Sequence, residues 1–425
     1  MSGRDKFILV ISMLVLVGSL AFVSGVYAGY KEIWPTDLIR DAKKTVVNLL
    51  SGVGFHPPGA LVKRAANASP GRIFISKDDP PVPGYLAIMG YDPDRRAWAI
   101  WLIDEKGQEL HKWPIDYRAY DPDGAINGAE DPHGLFVLPD GSALINFDQG
   151  DSLVRIDPCG NPVWRREGIF HHLIDRAPDG TFWTWGAEDT PYAYHNFLVN
   201  FDPKTGQTLR KISLVDDIIR KSARNASIFN IYPGFEFRTF GRTPPKSADI
   251  FHPNDIEVLT ADKADLFPLF DAGDIMISLR NLNLVAVIDP TDYHVKWSSN
   301  GPWRFQHDPD FTSRGTITVY DNNRIGDRSR IIEIDPNTMH WHEVFDEEQF
   351  TFYSGTMGTH QHLPSDSLLV TIPDQGRVVE LTAAHKRAFE FNSISSDTMN
   401  AHVANAQWLP PDYFTASPKC DSAGQ

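Results

Sequence analysis

A two-part motif recurs along most of this 425-residue chain and decides its architecture. One part is a strand ending in Ile-Asp or Phe-Asp, a turn, and a strand that often closes near Trp. Its copies are IDEKGQELHKW from Ile103, IDPCGNPVW from Ile156, FDPKTGQTLRK from Phe201, IDPTDYHVKW from Ile288 and IDPNTMHWHEVF from Ile334, with a degenerate ELTAAHKRAFEF from Glu380. The other part precedes it and begins with histidine: HGLFVLPDGSALINF from His133, HLIDRAPDGTFWTW from His172, HPNDIEVL with GDIMISLR downstream from His252, HDPDFTSRGTITVYDN from His307, and HQHLPSDSLLVTIP from His360. Turn residues between alternating apolar runs read as β-hairpins. Joined, the two parts make four strands per unit, which is the blade of a β-propeller.

The first unit, from Gly84 to Trp113, lacks a histidine-led strand, while HVANAQWLPPDYF from His402 is such a strand with no unit behind it. The C-terminal strand is therefore expected to complete the first blade, closing a six-bladed ring and leaving no free sheet edge. We read an all-β propeller over 83–415, a tail over 416–425, and a lid in the insertion from Val215 to Ile250, rich in Arg, Lys, Phe and Pro. Gly and Pro, 31 of each, supply the turns such a ring needs and argue against a long-helix bundle.

Ahead of the ring, Phe7 to Ala28 is an uncharged apolar run of 22 residues preceded by Arg4, Asp5 and Lys6. It is long enough to cross a bilayer, and Val26-Tyr27-Ala28 is a poor cleavage site, so we expect a retained transmembrane helix over 1–30. The basic residues before it keep the N-terminus in the cytoplasm and put the propeller outside, on the periplasmic or extracellular side. Residues 31–82 read as a juxtamembrane helix from about Pro35 to Leu50, followed by a proline-marked linker. Two cysteines, Cys159 and Cys420, allow one disulfide after export but exclude a disulfide-rich scaffold.

With 40 basic and 55 acidic residues the chain carries −15, which speaks against nucleic acid or anionic lipid held by a general basic surface. A small anionic substrate then needs a local basic pocket, and arginines beside channel histidines are expected to supply one. First strands line a propeller's central channel, so histidines at equivalent positions of successive blades converge. His133, His360 and His402 read as hydrogen-bonding partners between blades. Arg280 ends GDIMISLR on the channel side, and Arg304, Arg324 and Arg328 gather near His307. Cationic groups beside channel imidazoles suit a sulfate or phosphate group. No phosphate-binding glycine loop is visible, so no nucleotide cofactor is indicated. No HExxH occurs and the pairs His340/His342 and His360/His362 lie in different units, so no metal is expected.

The segments HPNDIEVL…GDIMISLRNLNLVAVID, VKW, FQHDPDF, ITVYDNN and SRIIEID resemble the bacterial arylsulfotransferases, six-bladed propellers that pass sulfuryl groups between phenols without a nucleotide donor. The likeness covers about residues 84 to 414 and is most specific around His252, Arg280 and His307 to Asn322. It implies that His307, in a Gln-His motif, carries the sulfuryl group. His252 matches a second histidine, with Ser278 to Arg280 matching the Ser-x-Arg downstream of it. The pair His171-His172 matches a third, with His172 favoured. The small N-terminal β domain of that family is missing here.

The expected reaction is ping-pong transfer from an aryl sulfate to a phenol. Neutral His307 attacks sulfur, Arg280 binds the equatorial oxygens, and His172 or His252 protonates the leaving phenolate. Trp183, Trp185, Phe305 and Phe352 are candidates to stack the aromatic ring. Two rivals stand beside this: a non-catalytic membrane-anchored propeller acting as a binding or assembly module, and a metal-dependent hydrolase or lyase using His252, His307 and His360.

Overall fold

The computed structural model describes residues 3–31, 60–120, 131–147, 152–189, 194–230 and 250–420. Six antiparallel sheets form a six-bladed propeller. Blade 1 joins Val403–Leu409 to Tyr85–Asp92, Ala97–Asp104 and Glu109–Ile115. Blade 2 runs Pro132–Val137, Ala143–Phe147, Ser152–Ile156, Pro162–Glu167, and blade 3 runs Ile169–Arg176, Phe182–Asp189, Tyr194–Phe201, Thr208–Ser213. Blade 4 contains Pro253–Val258, Ile275–Leu279, Leu284–Ile288 and Val295–Ser299. Blade 5 contains His307–Phe311, Ile317–Asp321, Arg330–Ile334 and Trp341–Glu343, and blade 6 contains Thr359–His362, Leu368–Ile372, Arg377–Leu381 and Arg387–Asn392.

The repeated residues have physical jobs. In blades 1 to 5 the Asp at the end of the third strand accepts the backbone N–H two residues on, closing an Asx turn: Asp104 from Lys106 at 3.0 Å, Asp157 from Cys159 at 2.8 Å, Asp202 from Lys204 at 2.7 Å, Asp289 from Thr291 at 2.7 Å and Asp335 from Asn337 at 2.8 Å. The recurring Trp is a latch to the next blade. Trp113 donates to Gly141 O at 2.8 Å, Trp164 to Pro203 O at 2.9 Å, and Trp297 to Met339 Sδ at 3.2 Å. Inner strands are also tied side chain to backbone. The N–H of Val258 donates to Asp175, that of Phe311 to Glu257, that of Trp408 to Gln361 and that of Val137 to Gln407.

Several expectations change. Residues 60–82 are no linker: Leu61–Lys63 pairs with Met399–Ala401, and Ile73–Ile75 adds a fifth strand outside Arg387–Asn392. Ile73 and Ile75 pack on the core there, and that burial outweighs the proline punctuation that suggested a linker. The juxtamembrane helix lies outside the described residues. Of the supposed lid, residues 215–230 pack down as short helices, with Val215, Ile218, Ile219 and Phe229 buried among residues of blades 3 and 4; the remainder lies outside the described residues, apart from Ile250 at its end. Of the tail, residues 416–420 are described and Cys420 is disulfide-bonded to Cys159; just ahead of them Tyr413 Oη donates to Val137 O and the Thr415 N–H to Pro139 O.

Helix Gly3–Lys31 is long and apolar enough to cross a membrane, its 18-residue apolar window having a mean hydropathy of 2.6. A membrane anchor and a signal sequence both have this character.

Candidate active site

Every first strand begins at the same side of the ring, and in five of the six the ladder slips there: between Pro132 and Leu135, His171 and Ile174, Pro253 and Asp255, His307 and Pro309, and Val403 and Asn405. A bulge of this kind bends the strand and re-aims its side chains. The backbone turns left-handed at His172 (φ 63°), His252 (φ 46°) and Asp308 (φ 50°), all residues for which that region is uncommon. Counting four residues back from the last pair of each first hairpin reaches His133, His172, Asn254 and His307. The register thus corrects the sequence alignment. Asn254, not His252, is the blade 4 equivalent of His307, and His252 enters from two residues upstream.

The imidazoles meet. His172 is the hub, its ring centroid 4.3 Å from that of His133, 4.9 Å from His171, 5.0 Å from His252 and 6.2 Å from His307. Gly134 makes this approach feasible, since a Cβ there would lie 2.2 Å from the His172 carbonyl oxygen. His133, Asn254, His307, Met357, Thr359 and Asn405 line the small opening at the channel mouth.

His307 is buried and oriented by a chain of bonds that fixes its tautomer. The Asn322 amide nitrogen donates to Ser354 O at 2.8 Å and to Met357 O at 2.7 Å, so Oδ1 faces the ring. That oxygen lies 2.6 Å from His307 Nδ1 and can only accept, which puts the proton on Nδ1 and leaves the Nε2 lone pair free. Gln306 anchors the strand from behind through Ser278 Oγ at 3.0 Å and Leu284 O at 3.1 Å, and Asn254 Nδ2 donates to Gln306 O at 2.7 Å.

Electrostatics keep this imidazole neutral. Burial depresses the His307 pKa well below the usual imidazole value, and the charges of Arg280, His252 and His133 push it further, against the opposing pull of Asn322. His172 is depressed likewise, by burial first and then by His133, His171, His252 and His307. A cluster that resists taking up protons of its own is one that an incoming anion relieves. Arg280 is half-buried beside it, its backbone N–H donating to His252 O at 3.0 Å.

His307, His172, His252 and Arg280 are therefore gathered at one end of the channel. His133, expected only to bridge blades, belongs to the same cluster. His171, the less favoured member of its pair, joins it too, with Nδ1 2.7 Å from His172 Nδ1, whereas Asn254 and Asn322 were missed, although Asn254 stands two residues after His252 and Asn322 lies in the ITVYDNN segment. Other candidates fall away. Trp185 is fully buried and donates to Asp255 O at 2.9 Å, Trp183 and Phe352 are core residues, and only Phe305 is part-exposed. Arg328 is engaged by Glu343 at 2.8 Å, and Arg304 and Arg324 point to solvent. His402 is half-buried, its ring centroid 6.0 Å from that of Trp98. His360 sits deeper in the channel, bonded to Asp308 at 2.8 Å. Among the described residues, no set of donors close enough to share a cation includes His252 or His307, against the metal-hydrolase rival.

The fold and the site thus define a six-bladed propeller whose channel mouth gathers histidines and an arginine. The chain belongs to the arylsulfotransferase (ASST) family, whose profile matches residues 134–393, and it is accordingly a sulfotransferase-like enzyme. No curated protein matches at a significant level. Among solved structures, the chain is similar to a protein of unknown function from Bacteroides caccae, with 12% identity, 76% of this chain and 99% of that one covered, and TM-score 0.48. Virginiamycin B lyase from Staphylococcus aureus gives 14% identity over 63% of this chain and 71% of that one, at TM-score 0.35. Kuenenia stuttgartiensis hydrazine synthase gives 13% over 72% and 78%, at TM-score 0.40. None of these likenesses bears on the chemistry.

Proposed function

We propose that this protein moves a sulfuryl group from an aryl sulfate to a phenol through a sulfohistidine at His307, with no nucleotide donor. The observation that carries this is the Asn322-fixed tautomer, which gives a buried neutral imidazole a free Nε2. Nε2 attacks sulfur while the S–O bond to the aryl group breaks. Arg280 and Asn254 bind the sulfuryl oxygens whose charge grows in the transition state. The anionic substrate offsets the repulsion among the imidazoles, so that His172 or His252 can hold a proton and pass it to the leaving phenolate. An incoming phenol returns that proton and takes the sulfuryl group in reverse.

The same reading extends to the whole chain. The C-terminal strand closes the ring on Tyr85–Asp92, and the N-terminal helix is retained as an anchor with the propeller outside the cytoplasm. The Cys159–Cys420 disulfide supports export, because such bonds persist in oxidising compartments.

Purified protein mixed with p-nitrophenyl sulfate and no acceptor is expected to release about one phenol per chain in a burst, and the peptide holding His307 to gain the mass of one SO₃. A folded protein that releases none from any aryl sulfate would favour the binding-module reading. The pH profile is a second check. The reactive form of His307 is deprotonated, so activity is lost as pH falls through its depressed pKa. The acid limb of kcat/KM should therefore lie well below pH ~6.5, the value for a free imidazole. A limb at or above that value would count against His307 as nucleophile.

A further inference from the structure

Below the histidine cluster the channel changes character. Its wall carries Asp175, Asp255, Glu257, Asp308 and Asp310, and the cation facing them is Lys263, 3.8 Å from Glu257 and donating to Phe311 O at 2.6 Å. The nearby Arg314 is held by Glu333 at 3.0 Å and Asp366 at 3.6 Å. Within this acidic zone, at the seam of blades 5 and 6, Asp310, His360 and His362 bring one donor atom each to within 4.8 Å of one another.

We propose that Asp310, His360 and His362 bind a divalent transition-metal ion of the zinc class. Two imidazoles and one carboxylate form an N₂O donor set suited to zinc, iron(II) or cobalt(II) rather than to magnesium or calcium. His360 Nε2 and Asp310 Oδ2 lie 3.4 Å apart, close to the roughly 3.3 Å edge of a tetrahedron with bonds of about 2.0–2.1 Å. The two rings aim at one point, since the Thr318 hydroxyl lies 2.8 Å from His360 Nε2 and 2.9 Å from His362 Nε2. That hydroxyl, or a water in its place, completes four-coordination.

An independent feature marks His360 as a ligand. Its Nδ1 lies 2.8 Å from an Asp308 carboxylate oxygen, which directs the Nε2 lone pair to the proposed ion. This is the carboxylate–imidazole–metal relay that orients ligating histidines. The ion would offset part of the carboxylate excess and join two blades, Asp310 from one and the histidines from the other. Asp308 adjoins His307 in sequence, so the site also steadies the strand that carries the nucleophile. It lies outside the sulfuryl cluster and takes no part in that reaction.

The test uses full-length protein in detergent, stripped with EDTA, dialysed into metal-free buffer, and titrated with Zn²⁺ or Co²⁺ alone. The expected result is one equivalent bound per chain, with the visible absorption of tetrahedral cobalt. His362→Ala should weaken binding at least about tenfold with an unchanged circular dichroism spectrum. Should that variant misfold, the near-isosteric Asp310→Asn, which keeps volume and removes the anionic ligand, must give the same loss. Wild-type protein that binds neither ion would leave His360 as an imidazolium paired with Asp308 and Asp310, and would overturn the proposal. So would variants that bind as tightly as the wild type. Because the readout is bound metal and not turnover, failure of the sulfuryl-transfer reading leaves this result standing.

Discussion

His307→Ala is expected to abolish the phenol burst and to slow turnover of an aryl sulfate by about 10⁴-fold or more, the scale on which loss of a covalent nucleophile acts. That is roughly 5 kcal/mol of barrier. The expectation rests on one atom, the unprotonated Nε2, since a neighbouring imidazole cannot replace it without moving. His172 is fixed by its own contacts with His133, His171 and His252. Asn322→Ala separates geometry from chemistry: it keeps the ring but frees its tautomer and rotation, so a smaller loss of about 10²-fold is expected, with the burst retained. Turnover by His307→Ala at near the wild-type rate, or a sulfuryl mass found on another peptide, would end the covalent mechanism.

Cys159→Ser is expected to lower stability by about 4 kcal/mol and the melting temperature by about 6 °C, yet to leave the burst unchanged. The bond closes a loop spanning 261 positions, which in the chain-entropy picture removes much freedom from the unfolded state. It lies at the hairpin end of blade 2, where Pro418 and Pro158 both lie against Gly141, at the opposite end of the strand from His133. Urea unfolding followed by fluorescence, with burst amplitude measured in parallel, checks both halves. An unchanged midpoint would show that the tail's hydrogen bonds at Val137 and Pro139 already hold it without the bond.

Much of this molecule was legible because its ring repeats itself. The turn Asp does the same work in five successive blades, so the turns at Asp104, Asp157, Asp202, Asp289 and Asp335 could be read without knowing the fold, and the recurring Trp marks the latches. Even there the rule has an exception, since Trp341 stands where the latch is expected and is exposed. Features that depend on contacts distant in sequence were hidden. Asn322 matters through Ser354 and Met357, loop residues that no motif announces. Ile73 and Ile75 look like part of a linker until the edge of blade 6 is seen to need them. His252 aligned with His307 as a letter, but the bulges shift the register by an amount that only strand pairing reveals.

The pairing of Val403–Leu409 with Tyr85–Asp92 also governs when the enzyme comes into being. Five blades are contiguous in the chain and can assemble as they emerge from the ribosome or a translocon. Blade 1 cannot, because its innermost strand follows all five other blades in the chain. Until then Tyr85–Asp92 has a bare inner edge, and Asn405 is missing from the channel mouth. A chain cut before Val403 is therefore expected to be inactive, with activity appearing only once Val403–Leu409 has docked on Tyr85–Asp92.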